Sequence, residues 1–462
     1  MFELKQLDDE NLESLLKKKE DHFFDFKGKG IKPAKLQESF VAFANADGGE
    51  IYVGIEDEKF VGDRINPFKN LEEANAIINV LLEQTKPTVE GVGVEFLEIK
   101  QGYILYISIP KSPKVHYTSN DECYIRLNAN KNRIKGDRIT SLAYSKGIMA
   151  YERQPVANTH IEELIESEIL LDYMKKISTT QSPEKFLKKQ RLLSQLQGEI
   201  LVPNVGCIIL FDEEPQATMD TRCAIKIYRL LTTDSNYKRE HLLEMPVTIN
   251  GSLEVIIRNA IKKVKSYLDG AQLHDGSKMT YPSEAIKEIL VNAVLHRDYS
   301  LNDDIHVKIY DDRIEVTSPG KLPGYMTINN LYEERFSRNP NLVRMLHNLP
   351  EPLNHDIGEG LDTVKNELKK AGLVEPIFEE KENSFVVTLN HKKLSSIETV
   401  ILEYLNQNPD KYITNLLVRQ LTGENDVNKI KGVLKRLRKE QKIEVVGNPS
   451  RAFDYQYRLI RD

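Results

Sequence analysis

The segment LQESFVAFANADGGEIYVGIED (36–57) constrains this chain most strongly. Its first part spaces apolar residues three and four apart, which winds a hydrophobic stripe onto a helix. Gly48 and Gly49 then end that helix. A glycine pair takes positive φ without a Cβ clash, so the backbone can reverse within two residues. The residues that follow, EIYVGIED (50–57), alternate as a strand does. A helix closed so tightly against a strand calls for an α+β layer. Asn45, just ahead of the glycines, suits a buried hydrogen-bonding residue that fixes the turn.

One such layer cannot account for 462 residues. Domains usually hold about 100–200 residues, so an α+β multidomain chain is expected. Residues 1–150 read as the first domain, with a short helix at NLESLLKKK, a second amphipathic helix at 70–87, and strands at 103–113 and 122–134. Residues 151–390 read as a helical linker and a second α/β module. Strands are expected there at NVGCIILF (204–211), RCAIKIYRLL (222–231), 304–317 and SFVVTL (384–389), and helices at about 252–268 and 283–296. Residues 395–462 read as three helices and a strand pair around GNPS (447–450).

Composition excludes several classes. The net charge of −6 gives no global attraction to nucleic acid, so any such surface is a local patch. Cys123, Cys207 and Cys223 are too few and too irregularly spaced for a disulfide framework or a zinc site, and a reduced, cytoplasmic setting fits them. The N-terminus lacks the pattern of a signal peptide, and no apolar run approaches the roughly 18 residues of a membrane span, so no membrane partner is expected.

EDHFFDFKGKGI (20–31) gathers acids and lysines around two phenylalanines. Glu20, Asp25 and, at the end of the next strand, Asp57 are candidate ligands for Mg²⁺ or Mn²⁺, which would polarise a phosphodiester. Lys27 beside them could neutralise charge on the reacting phosphate. The same pattern also describes solvated charges at a strand edge, and the residues alone leave both readings open. Arg126, Lys131, Asn132 and Arg133 form a basic segment suited to a phosphate backbone, or equally a solvated hairpin.

EDHFFDFK followed by VAFANADGGEIYVGIED resembles the Schlafen-type AlbA-like nucleic-acid-binding domain. The likeness continues through YISIPKSPKVHY and CYIRLNANK and covers roughly residues 10–145. It implies a metal-dependent active site on Glu20, Asp25 and Asp57. The second position is usually Glu, and Asp25 retracts that carboxylate by about 1.5 Å, one C–C bond. Relatives with two such lobes face them across a groove. This chain has one, so the resemblance implies a homodimer or higher homo-oligomer.

EAIKEILVNAVLHRDYS (284–300) places Glu288, Asn292 and His296 on one helical face. The stripe resembles the N-box of GHKL ATPases, in which the Asn binds Mg²⁺ and the Glu activates water. Gly320, in TSPGKLPG, occupies the place of the first glycine box. Gly358 and Gly360, in DIGEGLDTVKNEL, resemble the second, whose backbone amides meet phosphates. The resemblance covers about residues 200–390 and implies ATP. The box Asp that reads adenine is missing, with Ser318-Pro319-Gly320 in its place, so a scaffold that binds nothing is the alternative.

From Ser396 the chain has winged-helix form, with a third helix whose Ile430, Val433, Leu434 and Leu437 make a core stripe. Lys429, Lys435, Arg436, Arg438 and Lys439 lie away from that stripe, and Arg451 falls in the expected wing. Such charge suits DNA or RNA contact, or a solvated helix in a protein–protein module. Two functions follow. One is a Schlafen-like endoribonuclease gated by a nucleotide, which the resemblance associates with tRNA-like targets and phage defence. The other is a non-catalytic DNA-binding regulator that senses ATP or another ligand.

Overall fold

The computed structural model describes residues 3–196, 200–271, 278–354, 360–391, 397–408, 411–422, 426–446 and 455–460. The chain divides into two compact units, Met1–Leu368 with Glu375–Asn390, and Lys369–Val374 with His391–Asp462. The expected segments 1–150 and 151–390 fall in the first unit, apart from residues 369–374.

The first unit opens with a five-stranded sheet. Its elements are β1 (Glu3–Gln6), α1 (Asp9–Leu16), β2 (Phe24–Lys27), α2 (Pro33–Asn45), β3 (Gly49–Val53), α3 (Asn75–Glu83), β4 (Gly93–Ile99) and β5 (Gly102–Ile109), with strand order β1-β4-β5-β3-β2. β2 runs parallel to β3, with Asp25 opposite Ile51 and Lys27 opposite Val53. Strand alternation separates the two faces. Phe24, Phe26 and Tyr52 pack with Leu12 and Leu15 of α1. Ile51 and Val53 pack with Phe40 and Phe43 of α2 and Ile77 and Leu81 of α3. Asp25 therefore turns toward α2. β1 was not expected from the sequence: it pairs parallel with β4, some ninety residues away (Glu3 opposite Glu95), and all four of its residues are exposed.

A hairpin of β6 (Cys123–Leu127) and β7 (Asn130–Ile134), followed by α4 (Asp137–Ser145), completes this lobe. Asn45 is buried and hydrogen-bonded as expected, but its bonds hold this hairpin rather than the glycine turn. Its amide donates to His116 O at 2.8 Å and Tyr124 O at 2.9 Å, and its Oδ1 accepts from His116 N at 2.8 Å. Gly48 has φ +79°, and an added Cβ would meet Lys111 N at 2.8 Å, so the reversal requires glycine.

The rest of the first unit begins with α5 (Ile161–Ile165), α6 (Glu168–Lys176), α7 (Pro183–Lys189), the hairpin β8 (Leu193–Leu196) and β9 (Ile200–Pro203), α8 (Val205–Phe211) and α9 (Pro215–Thr218). A six-stranded sheet follows, formed by β10 (Ile225–Arg229), β11 (Val247–Ile249), β12 (Ile305–Ile309), β13 (Arg313–Pro319), β14 (Ile377–Glu380) and β15 (Ser384–Asn390), in the order β11-β10-β12-β13-β15-β14. Its helices are α10 (Leu253–Asp269), α11 (Ser283–Leu295), α12 (Pro340–His347) and α13 (Gly360–Lys370), and α11 packs against α10 and β13.

NVGCIILF is α8 rather than the expected strand. Every residue of α8 is buried, so the run has no polar face by which periodicity could tell helix from strand. Asn204 caps it by accepting Cys207 N at 3.0 Å. Glu152, fully buried in the turn after α4, reaches the start of α12. Its Oε1 accepts Asn341 N at 2.8 Å and its Oε2 accepts Leu342 N at 3.1 Å.

The second unit holds α14 (Ile397–Gln407), β16 (Ile413–Thr414), α15 (Asn415–Thr422), α16 (Val427–Lys439), β17 (Ile443–Val445) and β18 (Gln456–Leu459), with an antiparallel sheet ordered β16-β18-β17. Ile401, Leu405, Ile413, Val418, Ile430, Leu434 and Leu437 form its core. Asp426 caps α16 by accepting Asn428 N at 2.8 Å. No helix among the described residues is long and apolar enough to cross a membrane. The three cysteines are buried free thiols.

Candidate functional site

Glu20 and Asp25 converge, and Lys27 lies between them. Its ammonium donates to Asp25 Oδ1 at 2.7 Å, to Phe26 O at 2.7 Å and to Glu20 Oε1 at 3.4 Å. Glu20 Oε1 also accepts Phe26 N at 3.0 Å. Burial pushes the Glu20 carboxyl above its ordinary range, Asp25 adds to the rise, and Lys27 opposes it. Asp25 is itself buried and lies 3.4 Å from Arg126 Nη1.

Asp57 does not share these partners. It is exposed in the turn after β3, where its Oδ1 accepts Lys59 N at 2.8 Å. The acid that turns back toward the end of β2 is Glu56, whose carboxylate lies where a Cβ on Gly28 would stand. Sequence reasoning missed it. Among the described residues no three His, Cys, Asp or Glu groups gather to hold a metal ion. A lysine ammonium occupies the space between the carboxylates, so this cluster does not fit a divalent cation.

The basic hairpin needs correction at one position. Arg126 is only 2% exposed and is used internally. Its guanidinium donates to Asp21 O at 2.7 Å and Phe24 O at 2.9 Å and stacks on Phe43, 4.2 Å from the ring centroid. It cannot reach a phosphate backbone. Lys131 pairs with Glu38 at 2.9 Å and Arg133 with Glu122 at 2.8 Å, both at the surface. On α16, Lys429, Lys435, Arg436, Arg438 and Lys439 are exposed, and Arg436 pairs with Glu398. Arg451 lies outside the described residues.

The second candidate site is a cavity of about 410 Å³. Glu288, Asn292 and His296 face it from α11, Gly320 from the loop after β13, and Gly360 from the start of α13. Asn292 Nδ2 donates to Glu288 Oε1 at 3.2 Å. Gly360 is a glycine for space: an added Cβ would run into Glu288 Oε1 and lie 3.1 Å from Asn292 Nδ2. Gly320, at φ +102°, would put a Cβ 2.7 Å from Asp298 Cβ. Ser318 donates to Ala293 O at 2.8 Å and ties the loop to α11. Gly358 lies outside the described residues.

Two further cavity residues, Ser337 and Asn354, were not singled out from the sequence. Ser337 Oγ and Asn354 Oδ1 are buried and lack a hydrogen-bond partner among the described residues. Unpaired buried polar atoms are costly unless something meets them. With Glu288 and Asn292, they give the cavity several polar groups on its wall.

Comparison with known proteins agrees with this division. Residues 20–135 match the family model "Schlafen, AlbA_2". Residues 302–389 match the HATPase_c_4 model, described as "Putative ATP-dependent DNA helicase recG C-terminal". The chain thus carries a Schlafen-type AlbA_2 domain followed by an ATPase-type module. Among solved structures, the DIP2311 protein from Corynebacterium diphtheriae is similar over 97% of this chain and 98% of its own, at 16% identity and a TM-score of 0.41. No curated protein matches.

Proposed function

We propose that this protein binds nucleic acid through its AlbA_2 domain and responds to a purine nucleotide, ATP in the first instance, in the second module. The observation that carries the proposal is the single cavity that unites Glu288 and Asn292 with Gly320 and Gly360, residues spread over more than seventy positions. Glu288 and Asn292 would hold a Mg²⁺ ion through their side-chain oxygens, and such an ion neutralises polyphosphate charge. The backbone at Gly360 opens an eleven-residue helix, whose amides and dipole favour phosphate. Asn354 Oδ1, without a partner among the described residues, can accept from an amino group of a base.

The second unit joins this reading as a winged-helix contact. α16 carries Lys435, Arg438 and Lys439 exposed on one side of its buried stripe, the charge a groove-binding helix needs. RNA and duplex DNA both meet that chemistry. One AlbA_2 lobe per chain makes a homodimer the simplest way to enclose a duplex.

Phosphodiester cleavage is the weaker reading, because Lys27 and Arg126 already neutralise the acids that would have to hold a metal. Neither family description speaks of RNA cleavage or phage defence. The test uses full-length protein with Mg-ATP titrated calorimetrically, and tRNA, single-stranded RNA and duplex DNA followed by mobility shift. ATP binding that Asn292→Ala weakens at least tenfold, together with shifted but uncut nucleic acid, is expected. ATP binding untouched by Asn292→Ala rejects the cavity. Mn²⁺-dependent cutting lost in Glu20→Ala/Asp57→Ala rejects the binding-only account.

A further inference from the structure

Lys321 belongs to two sites at once. It follows Gly320 in the loop after β13 and lines the cavity. Its ammonium does not end there: it donates to Asp47 Oδ2 of the AlbA_2 lobe at 2.9 Å. Asp47 stands between α2 and the Gly48-Gly49 reversal. His22 Nε2 lies 2.8 Å from the same oxygen, and Lys111 Nζ lies 3.5 Å from Oδ1. Burial alone would raise the Asp47 carboxyl, but His22, Lys321 and Lys111 outweigh it and hold it well below the usual carboxylate range.

The backbone from Lys321 to Leu322 is fastened in place, in part to the same lobe. Arg338 Nη2 donates to Lys321 O at 2.7 Å and to Ser145 O, at the end of α4, at 3.1 Å. Lys111 Nζ donates to Leu322 O at 3.0 Å, and Leu322 N donates to Glu380 Oε1 at 2.7 Å. The loop is therefore pinned by its peptide groups while the Lys321 side chain stays one-third exposed. Lys111, by contrast, is 10% exposed and bound to that backbone. Of the two lysines on Asp47, Lys321 is the one free to change partner.

We propose that Lys321 exchanges Asp47 for the polyphosphate of a nucleotide in the cavity, and so makes nucleotide binding felt at the AlbA_2 lobe. A polyphosphate offers an ammonium several charged oxygens, whereas Asp47 offers one carboxylate already shared with Lys111 and the His22 ring. When Lys321 leaves, His22 is the more exposed of the two partners that remain on Asp47. His22 sits two residues from Glu20, so the exchange changes the charge beside the acidic cluster. The coupling is reciprocal: nucleic acid that displaces His22 or Asp47 must shift nucleotide affinity by the factor through which nucleotide shifts its own. The inference rests on the cavity being a nucleotide site.

The experiment measures Mg-ATP affinity of the full chain calorimetrically for the wild type, Asp47→Asn and Lys321→Gln. tRNA affinity is measured for each with and without Mg-ATP. Asp47→Asn removes the competitor and is expected to tighten ATP binding by about fivefold. Lys321→Gln is expected to weaken it by about tenfold and to abolish the effect of ATP on tRNA affinity. If ATP binds the wild type but both variants bind it equally well, the exchange is overturned and the cavity reading stands. If ATP does not bind the wild type, both fall. Should Asp47→Asn lose its folded circular dichroism, Lys321→Gln decides alone, and unchanged ATP affinity in it overturns the exchange.

Discussion

Glu20 and Asp25 turn their charge inward, onto Lys27, Phe26 N and buried Arg126. Glu288 and Asn292 contact each other, yet face a cavity of about 410 Å³ on whose wall Ser337 Oγ and Asn354 Oδ1 have no partner among the described residues. In sequence the two clusters look alike, each a few polar side chains at regular spacing. In space the first is a closed network of protein partners and the second is a lined void. A closed network has its polar groups matched, whereas the lined void leaves Ser337 Oγ and Asn354 Oδ1 without partners among the described residues.

The largest expected effect breaks the first cluster. Arg126→Ala leaves Asp25 with Lys27 as its remaining cation and strips buried hydrogen bonds from Asp21 O and Phe24 O. It should cost about 2–4 kcal/mol in urea unfolding. A loss below about 1 kcal/mol would mean that the guanidinium is exposed in solution and restore it as a phosphate contact.

Next comes the void. Gly360→Ala drives a methyl group into Glu288 Oε1 and toward Asn292. ATP affinity should fall about tenfold, or about 1.4 kcal/mol, with little change in melting temperature. An unchanged Kd in calorimetry would mean that ATP does not use the Glu288–Asn292 corner.

The smallest effect sharpens the comparison by pH. Glu20 is held with its carboxyl raised, so its ionised form opposes folding at neutral pH. Glu20→Gln should stabilise the protein by a few tenths of a kcal/mol near pH 7, small because the group is partly solvated. The gain should shrink as pH falls and vanish below about 4.3, where the unfolded carboxyl is also protonated. Melting curves at several pH values would show it, and a variant that is less stable at pH 7 would mean that Lys27 dominates the site.

Local pattern made several features legible. The glycine reversal, the alternation of Phe24 and Phe26, and the α11 stripe all follow from spacing that one element imposes on its own residues. What failed was long-range or uniformly apolar. β1 is defined only by its partner β4, and four exposed residues carry no periodic mark. The run after Asn204 is buried on every side, although Asn204 itself was a readable cap. Arg126 looked like surface charge because nothing nearby in sequence announces that α2 and β2 enclose it. Lys321 was in view within TSPGKLPG, but its partner Asp47 is 274 positions away.

Glu152 has a practical corollary. It belongs to neither matched segment, yet its carboxylate meets the first amides of α12. A fragment cut at the ATPase-type match, or anywhere beyond residue 152, would begin that helix with bare N–H groups in an apolar setting. The stretch between the two matched segments is thus a structural strut rather than a tether, and excising it should yield an insoluble half.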